Sequence, residues 1–272
     1  MSTTAEFAPH RVITHNDATA TENKIHSDDV ARKHGFRGGL VPGVTVFGHM
    51  TYPLVTAFGE RWLAKAVGEV RLLKPAYEGE ALNVETASDG AGYLVTARND
   101  AGEVLARLTT HIPDRAPAPD PRWRTAPATA NPARSEIATA DILVDRPLAA
   151  LPLRPEMADN LAIAALLSDD LQIYSRPPLD IVASPVHPLW FARACNRAFT
   201  ARWIMPAWVH VGTEFVMHRP LRVAQDVQVR AMPTRVWAHK GHEFATLYLA
   251  FLSDGDLAAE ALHTAIYKMA ER

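Results

Sequence analysis

Residues 22–50 read ENKIHSDDVARKHGFRGGLVPGVTVFGHM, and the order of residue types here organises the whole chain. The stretch opens on polar residues around Asn23 and His26, passes Gly35, Gly38 and Gly39, and reaches Pro42-Gly43 before an apolar run. Glycine reaches backbone conformations closed to other residues, so this spacing predicts a tight turn feeding a helix. Within the run, Val46, Met50, Leu54 and Phe58 recur at four-residue intervals, the period of a buried helix face.

Strand-like segments surround this predicted helix. Residues 10–15 alternate before it, and residues 66–73, 81–88, 92–99 and 104–111 follow it. Asp89-Gly90 and Asp100-Ala101-Gly102 are hairpin connections, so the later strands form an antiparallel meander. One long apolar helix laid on such a sheet is the α+β pattern of a hotdog fold. The same grammar recurs downstream, with strands at 138–144, 209–218, 226–232, 243–252 and 258–269, a helix at 187–200, and a turn at Ser253-Asp254-Gly255. Val67-Gly68 followed by Lys74-Pro75 is answered by Val211-Gly212 followed by Arg219-Pro220. Internal duplication is the economical explanation. The expected architecture is a double hotdog: an N-terminal hotdog at 8–113, a linker at 114–136 and a C-terminal hotdog at 137–272. Each antiparallel sheet is wrapped around a central helix, and the two join edge to edge as a pseudo-dimer.

Composition agrees with two domains and excludes several functions. The chain has 272 residues, 48% of them hydrophobic, and a formal charge of −2 with no polybasic run. Nucleic acid is therefore not expected as a partner. No stretch approaches the roughly 20 apolar residues that span a bilayer, and residues 1–11 lack the basic-then-apolar layout of a secretion leader. The single cysteine, Cys195, forms no internal disulfide and suits a reducing compartment, so the cytoplasm is the expected location. The linker is rich in proline and alanine, and Trp123 within it is expected to dock on a domain.

The 22–50 stretch resembles the signature of the MaoC-like hydratases: Asp-x-Asn-Pro-x-His, an Ala, Gly-Phe-Gly-Gly, then a His-Gly or Pro-Gly pair opening the central helix. Asn23, Ile25, His26, Ala31, Gly35-Phe36, Gly38-Gly39 and Gly43 fall in register. Lys24 stands where the family has Pro, and Thr21 where it has the catalytic Asp. The resemblance implies hydro-lyase chemistry on a 2-enoyl or 3-hydroxyacyl thioester of coenzyme A or a carrier protein, with no cofactor; a homo-oligomer is left open. That chemistry needs a base for water, an acid for the α-carbon and donors for the enolate oxygen. His26 is the expected base, with Asn23 beside it, and the N–H groups of Gly43 and Val44 are the expected oxyanion donors. Glu22 lies one position from the missing acid, and an Asp at Thr21 is expected to raise activity. Arg37, Arg71 and Lys74 are candidate phosphate contacts.

In the second repeat, AALLSDDLQIY at 164–174 resembles the same motif, with Asp169 at the acid position, Tyr174 in place of the His, and residues 181–185 leading to the second central helix. His49 on the first helix reads as a buried histidine. Glu214 and His263 fall where related thioesterases carry catalytic residues, and could face each other on neighbouring strands. His239 and His242 flank a turn, and spacing places no metal ligand set. An acyl-CoA thioesterase and a non-catalytic thioester-binding hotdog are the alternatives to the hydro-lyase.

Overall fold

The computed structural model describes residues 7–175 and 183–270. The first repeat runs β1 (His10–Ile13), α1 (Asp28–Lys33), α2 (Gly43–Phe58), α3 (Glu60–Lys65), β2 (Val67–Leu72), β3 (Ala81–Asp89), β4 (Gly92–Arg98) and β5 (Val104–His111). A connecting segment holds the short strand β6 (Ser135–Glu136). The second repeat runs β7 (Leu151–Leu153), α4 (Met157–Leu167), α5 (Pro188–Thr200), β8 (Trp203–Ile204), β9 (Val209–Met217), β10 (Val227–His239), β11 (His242–Ser253) and β12 (Asp256–Lys268).

Ten strands form one sheet in the order β1-β3-β4-β5-β2-β9-β12-β11-β10-β7. Outward from the middle, β2, β5, β4, β3 and β1 on one side are answered by β9, β12, β11, β10 and β7 on the other. The duplication is thus complete at the level of topology, and the fold is a double hotdog. The seam is the antiparallel pair β2 and β9, with Glu69 opposite Glu214 at its centre. Positive φ at Gly90, Gly102, Asp254 and Gly255 marks the hairpin turns, as the sequence predicts.

The helix α2 is apolar nearly all round because it is enclosed: Met50 and Leu54 have no exposed surface. Gly48 lets α2 approach its neighbours closely, since a Cβ there would lie 2.9 Å from Leu167 Cδ1 and 3.3 Å from Leu189 Cβ. The Phe215 ring meets Phe47 at 5.9 Å and Trp62 at 6.0 Å across the seam, and Phe191 of its own repeat at 6.3 Å, each edge to face. This cluster joins the repeats through apolar area and ring geometry together. Phe215→Ala should cost about 3–5 kcal/mol, read as a lower urea midpoint; a loss below about 1 kcal/mol would show that the seam is held elsewhere.

One sequence expectation is overturned. Residues 138–144 do not form the first strand of the second repeat; Thr139–Asp141 is a 3-10 turn, and Leu143 and Val144 are exposed. The place beside β10 belongs to β7, through Val227 opposite Leu153 and Val229 opposite Leu151. The alternation of Ile142 and Val144 imitates a strand, but the edge they would pair with is occupied. Between the repeats, Trp123 packs against the buried cluster of Tyr248, Ala250 and Leu252, and its carbonyl accepts from Arg230 Nη1 at 3.0 Å. Among the described residues no helix is long and apolar enough to cross a membrane.

Candidate functional site

The 22–50 stretch folds into a loop whose turns need its glycines. A 3-10 turn at Lys24–His26 is capped by Asn23, whose side-chain oxygen accepts from Ile25 N–H. A Cβ at Gly39 would lie 2.2 Å from the His26 carbonyl oxygen, so only glycine lets the chain pass there. At Gly43 a Cβ would fall 2.1 Å from Leu72 Cδ1 on β2, so a larger residue there would require the Leu72 side chain to turn aside. The loop is also tied to the other repeat, as Lys24 N–H donates to the Pro206 carbonyl at 2.7 Å.

These constraints form one wall of a cavity of about 290 Å³ at the junction of the repeats. Asn23, His26, Gly43 and Val46 line it from the first repeat, and Asn196 and His210 from the second. The opening of α2 is part of this wall. Pro42 caps that helix without a side-chain acceptor, and among the described residues no side chain accepts from the first-turn N–H groups of Gly43 and Val44. Such groups carry the positive end of the helix dipole and suit a developing oxyanion.

The hydrogen bonds fix the state of His26. Nδ1 lies 2.7 Å from the Leu40 carbonyl oxygen, which can only accept, so Nδ1 carries the proton. Nε2 then presents its lone pair, 3.1 Å from Asn23 Nδ2. Asn23 is oriented in turn: its Oδ1 accepts from Trp208 N–H at 3.0 Å and its Nδ2 donates to the Trp208 carbonyl at 3.0 Å. Burial lowers the His26 pKa, so the imidazole is neutral near pH 7. Asp17 opposes that shift through its charge, but its carboxylate is held by Thr45 Oγ1 at 3.1 Å and by Arg193. Among the described residues no carboxylate hydrogen-bonds to His26.

The acid positions read from the motif lie outside the cavity lining. Thr21 is exposed, with its hydroxyl on the Ala18 carbonyl at 2.7 Å, so an Asp there would also start outside. Glu22 is exposed and forked by Arg134 at 2.6 and 3.3 Å, which holds its carboxyl below the usual range. The expectation that Glu22 takes the acid's place is corrected: the linker's Arg134 claims it. The candidate phosphate contacts are likewise already paired: Arg37 with Glu80 while lying over the Tyr77 ring, Arg71 with Glu69 at 2.5 Å, and Lys74 with Glu103 at 2.6 Å. Of the three, only Lys74 lines the cavity.

The matching place in the second repeat is closed. Its 3-10 turn, Gln172–Tyr174, ends on buried Tyr174 as the first ends on His26. Asp169 does not meet His26; its Oδ2 lies 3.1 Å from His187 Nε2, with both side chains almost wholly buried. His187 is the N-cap of α5, and its Nδ1 accepts from Leu189 N–H at 3.0 Å, so Nε2–H donates to Asp169. The second helix N-terminus is therefore plugged by a side chain, whereas the first is open. Nearby His49 is buried as expected, with both ring nitrogens unpartnered among the described residues and its pKa pushed by burial down to about 3. Ala183–Pro185 of the 181–185 segment is described; Ile181 and Val182 lie outside the described residues.

Sequence reading singled out His263 but missed the polar group it joins in the second repeat, with His210, Thr213 and Asn196. His210 Nε2 is 2.8 Å from Thr213 Oγ1, which is 2.7 Å from His263 Nδ1, and His263 Nε2 is 2.8 Å from Asn196 Oδ1. The two rings stack at 4.2 Å. His263 pairs across the strands with Thr213, while Glu214 pairs with Leu262. Neighbouring residues point to opposite faces, so Glu214 and His263 cannot meet, and the thioesterase pair is corrected. His239 and His242 close a hairpin through Lys240 and Gly241, both at positive φ. No group of three or more metal-ligating side chains gathers among the described residues.

No family model and no curated protein matches the chain by sequence. Solved structures do match. A protein assigned as a MaoC domain dehydratase from Chloroflexus aurantiacus aligns with TM-score 0.63 at 11% identity, covering 97% of this chain and 95% of that one. A double-hotdog protein from Mycobacterium tuberculosis aligns with TM-score 0.60 at 12% identity, covering 97% and 96%. A protein assigned as an oleoyl thioesterase from Lactobacillus plantarum aligns with TM-score 0.55 at 10% identity, covering 98% and 97%. These place the chain in the double-hotdog fold that MaoC-like dehydratases share. Proteins assigned to two different reactions stand among the neighbours, so the reaction has to be argued from the site.

Proposed function

We propose that this chain is a hydro-lyase that hydrates a 2-enoyl thioester, or dehydrates the 3-hydroxyacyl thioester, of coenzyme A or a carrier protein, in the cytoplasm. The observation that carries the reading is the asymmetry of the two helix openings: α2 opens uncapped onto a cavity beside His26, while α5 is plugged by His187. In this reading the thioester oxygen sits on the N–H groups of Gly43 and Val44, which gain most as negative charge develops there. Val46, Leu72 and Ile266 offer apolar walls to the acyl group, and Lys74 stands on the cavity wall. His26 and Asn23 form the polar end where the reacting water binds. The His26 ring is neutral and held at both nitrogens, by the Leu40 carbonyl at Nδ1 and by the Asn23 amide at Nε2, so it orders this end of the cavity rather than titrating freely.

The test is hydration of a short and a medium-chain 2-enoyl-CoA by wild type and His26→Ala. The expected result is turnover by wild type and a loss on the order of 100-fold in the variant. Turnover unchanged in His26→Ala would remove His26 from the reaction. Tight binding of acyl-CoA by wild type with neither hydration nor hydrolysis would make the chain a binding hotdog instead.

A further inference from the structure

The cavity contains a second histidine, from the other repeat, which the motif does not supply. His210 and Thr213 are three apart on β9, a spacing that places side chains on opposite faces of a regular strand. A register shift intervenes: Gly212 pairs with Thr264 but His210 with Ala265, leaving Val211 as an extra residue. The bulge turns His210 onto the inner face with Thr213 and His263.

The hydrogen bonds then assign the protons. Asn196 Oδ1 accepts, so His263 Nε2 carries the hydrogen and its Nδ1 accepts from the Thr213 hydroxyl. The Thr213 oxygen in turn accepts from His210 Nε2–H, which leaves His210 Nδ1 as a bare lone pair. That nitrogen is buried with no hydrogen-bond partner among the described residues, in a residue that lines the cavity, 3.5 Å from where a Cβ on Gly43 would lie; the Gly212 carbonyl beside the ring favours its protonated form. A buried polar atom left unpaired costs about 1–3 kcal/mol, so its persistence beside an open helix N-terminus points to a ligand. His26 differs: its lone pair already receives the Asn23 amide.

We propose that His210 is the proton-transfer group of the cavity, filling the role left without an acid at Thr21, and that Thr213, His263 and Asn196 are positioning residues that keep its Nδ1 free. The inference rests on the hydro-lyase reading above. In hydration, His210 Nδ1 takes a proton from water as the water oxygen bonds to the β-carbon. The π pair of the double bond moves toward the thioester, giving an enolate whose oxygen lies on the Gly43 and Val44 N–H groups. Nδ1–H then gives that proton to the α-carbon, the carbonyl re-forms, and His210 returns to its neutral state. The sum is one water added, with no other reactant.

The experiment measures kcat and KM for 2-enoyl-CoA hydration in wild type, His26→Ala, His210→Ala, Thr213→Val and Thr213→Ser. His210→Ala should lose on the order of 100-fold in kcat with KM little changed. Thr213→Val should lose about tenfold in kcat, and Thr213→Ser, which keeps the hydroxyl, should recover most of it. Activity kept by His210→Ala but lost by His26→Ala would overturn this inference and leave the hydro-lyase reading standing. No turnover by wild type would overturn both. If His210→Ala fails to fold, the Thr213 pair decides: equal kcat in the Val and Ser variants, both folded, contradicts the proposal.

Discussion

Acidification from pH 7.5 to pH 4.5 should destabilise this protein steeply, and the loss should begin near pH 6.5. His49 and His210 are pushed by burial down to about 3 and about 4, and His187 and His263 are lowered by the same cause. Each has a folded pKa below its unfolded value of about 6.5, so below that pH the unfolded chain binds protons that the native state refuses. Stability is therefore fully present above pH 6.5 and is lost as pH falls toward 4. Each pH unit between the unfolded and folded pKa is worth about 1.4 kcal/mol, so by pH 4.5, about two units below 6.5, His49 and His210 each cost roughly 2–3 kcal/mol. Together that is comparable with the lower end of a typical domain's stability, about 5–15 kcal/mol. Urea midpoints followed by tryptophan fluorescence at pH 7.5, 6.5, 5.5 and 4.5 would check it; a flat profile would contradict the burial of these rings. His49 offers a control, since neither ring nitrogen has a hydrogen-bond partner among the described residues. His49→Leu should raise stability at pH 7 by about 1 kcal/mol and remove part of the acid dependence.

The second large effect is expected at the closed pseudo-site. Asp169 accepts from His187 Nε2 at 3.1 Å and from Leu171 N–H at 2.8 Å, so Asp169→Ala strands a buried and a half-buried donor at once. The expected cost is about 3 kcal/mol or more. Because this pair lies outside the open cavity, the folded variant should keep its enoyl-thioester turnover within a few-fold. Denaturation and hydration measured on the same preparation separate the two roles. A stable Asp169→Ala protein that has lost activity would return Asp169 to the catalytic list.

The difference between these two places explains how far the sequence could be read. The fold is legible because its signals are local: turn residues such as Asp89-Gly90 and Ser253-Asp254-Gly255, the four-residue period of α2, and the repeated order of elements. Asn23, His26 and Gly43 are legible for the same reason, since one loop and one helix start bring them together. Partners from a distance are not. Glu22 is claimed by Arg134 at 2.6 Å, 112 residues on, and the three cations are claimed by Glu80, Glu69 and Glu103. Asp169 shows in the motif, but nothing in its neighbourhood announces His187 as its partner. His210 was hidden twice, by a spacing that in a regular strand would turn it away from Thr213, and by a cross-strand register that only the folded sheet defines.

The most direct test of the account is a crystal structure with a 3-hydroxyacyl-CoA bound. The thioester oxygen should lie within hydrogen-bond distance of the Gly43 and Val44 N–H groups, with the 3-hydroxyl toward His26 and His210. A ligand seated at the Asp169–His187 end, or bound with its thioester away from the α2 opening, would contradict it.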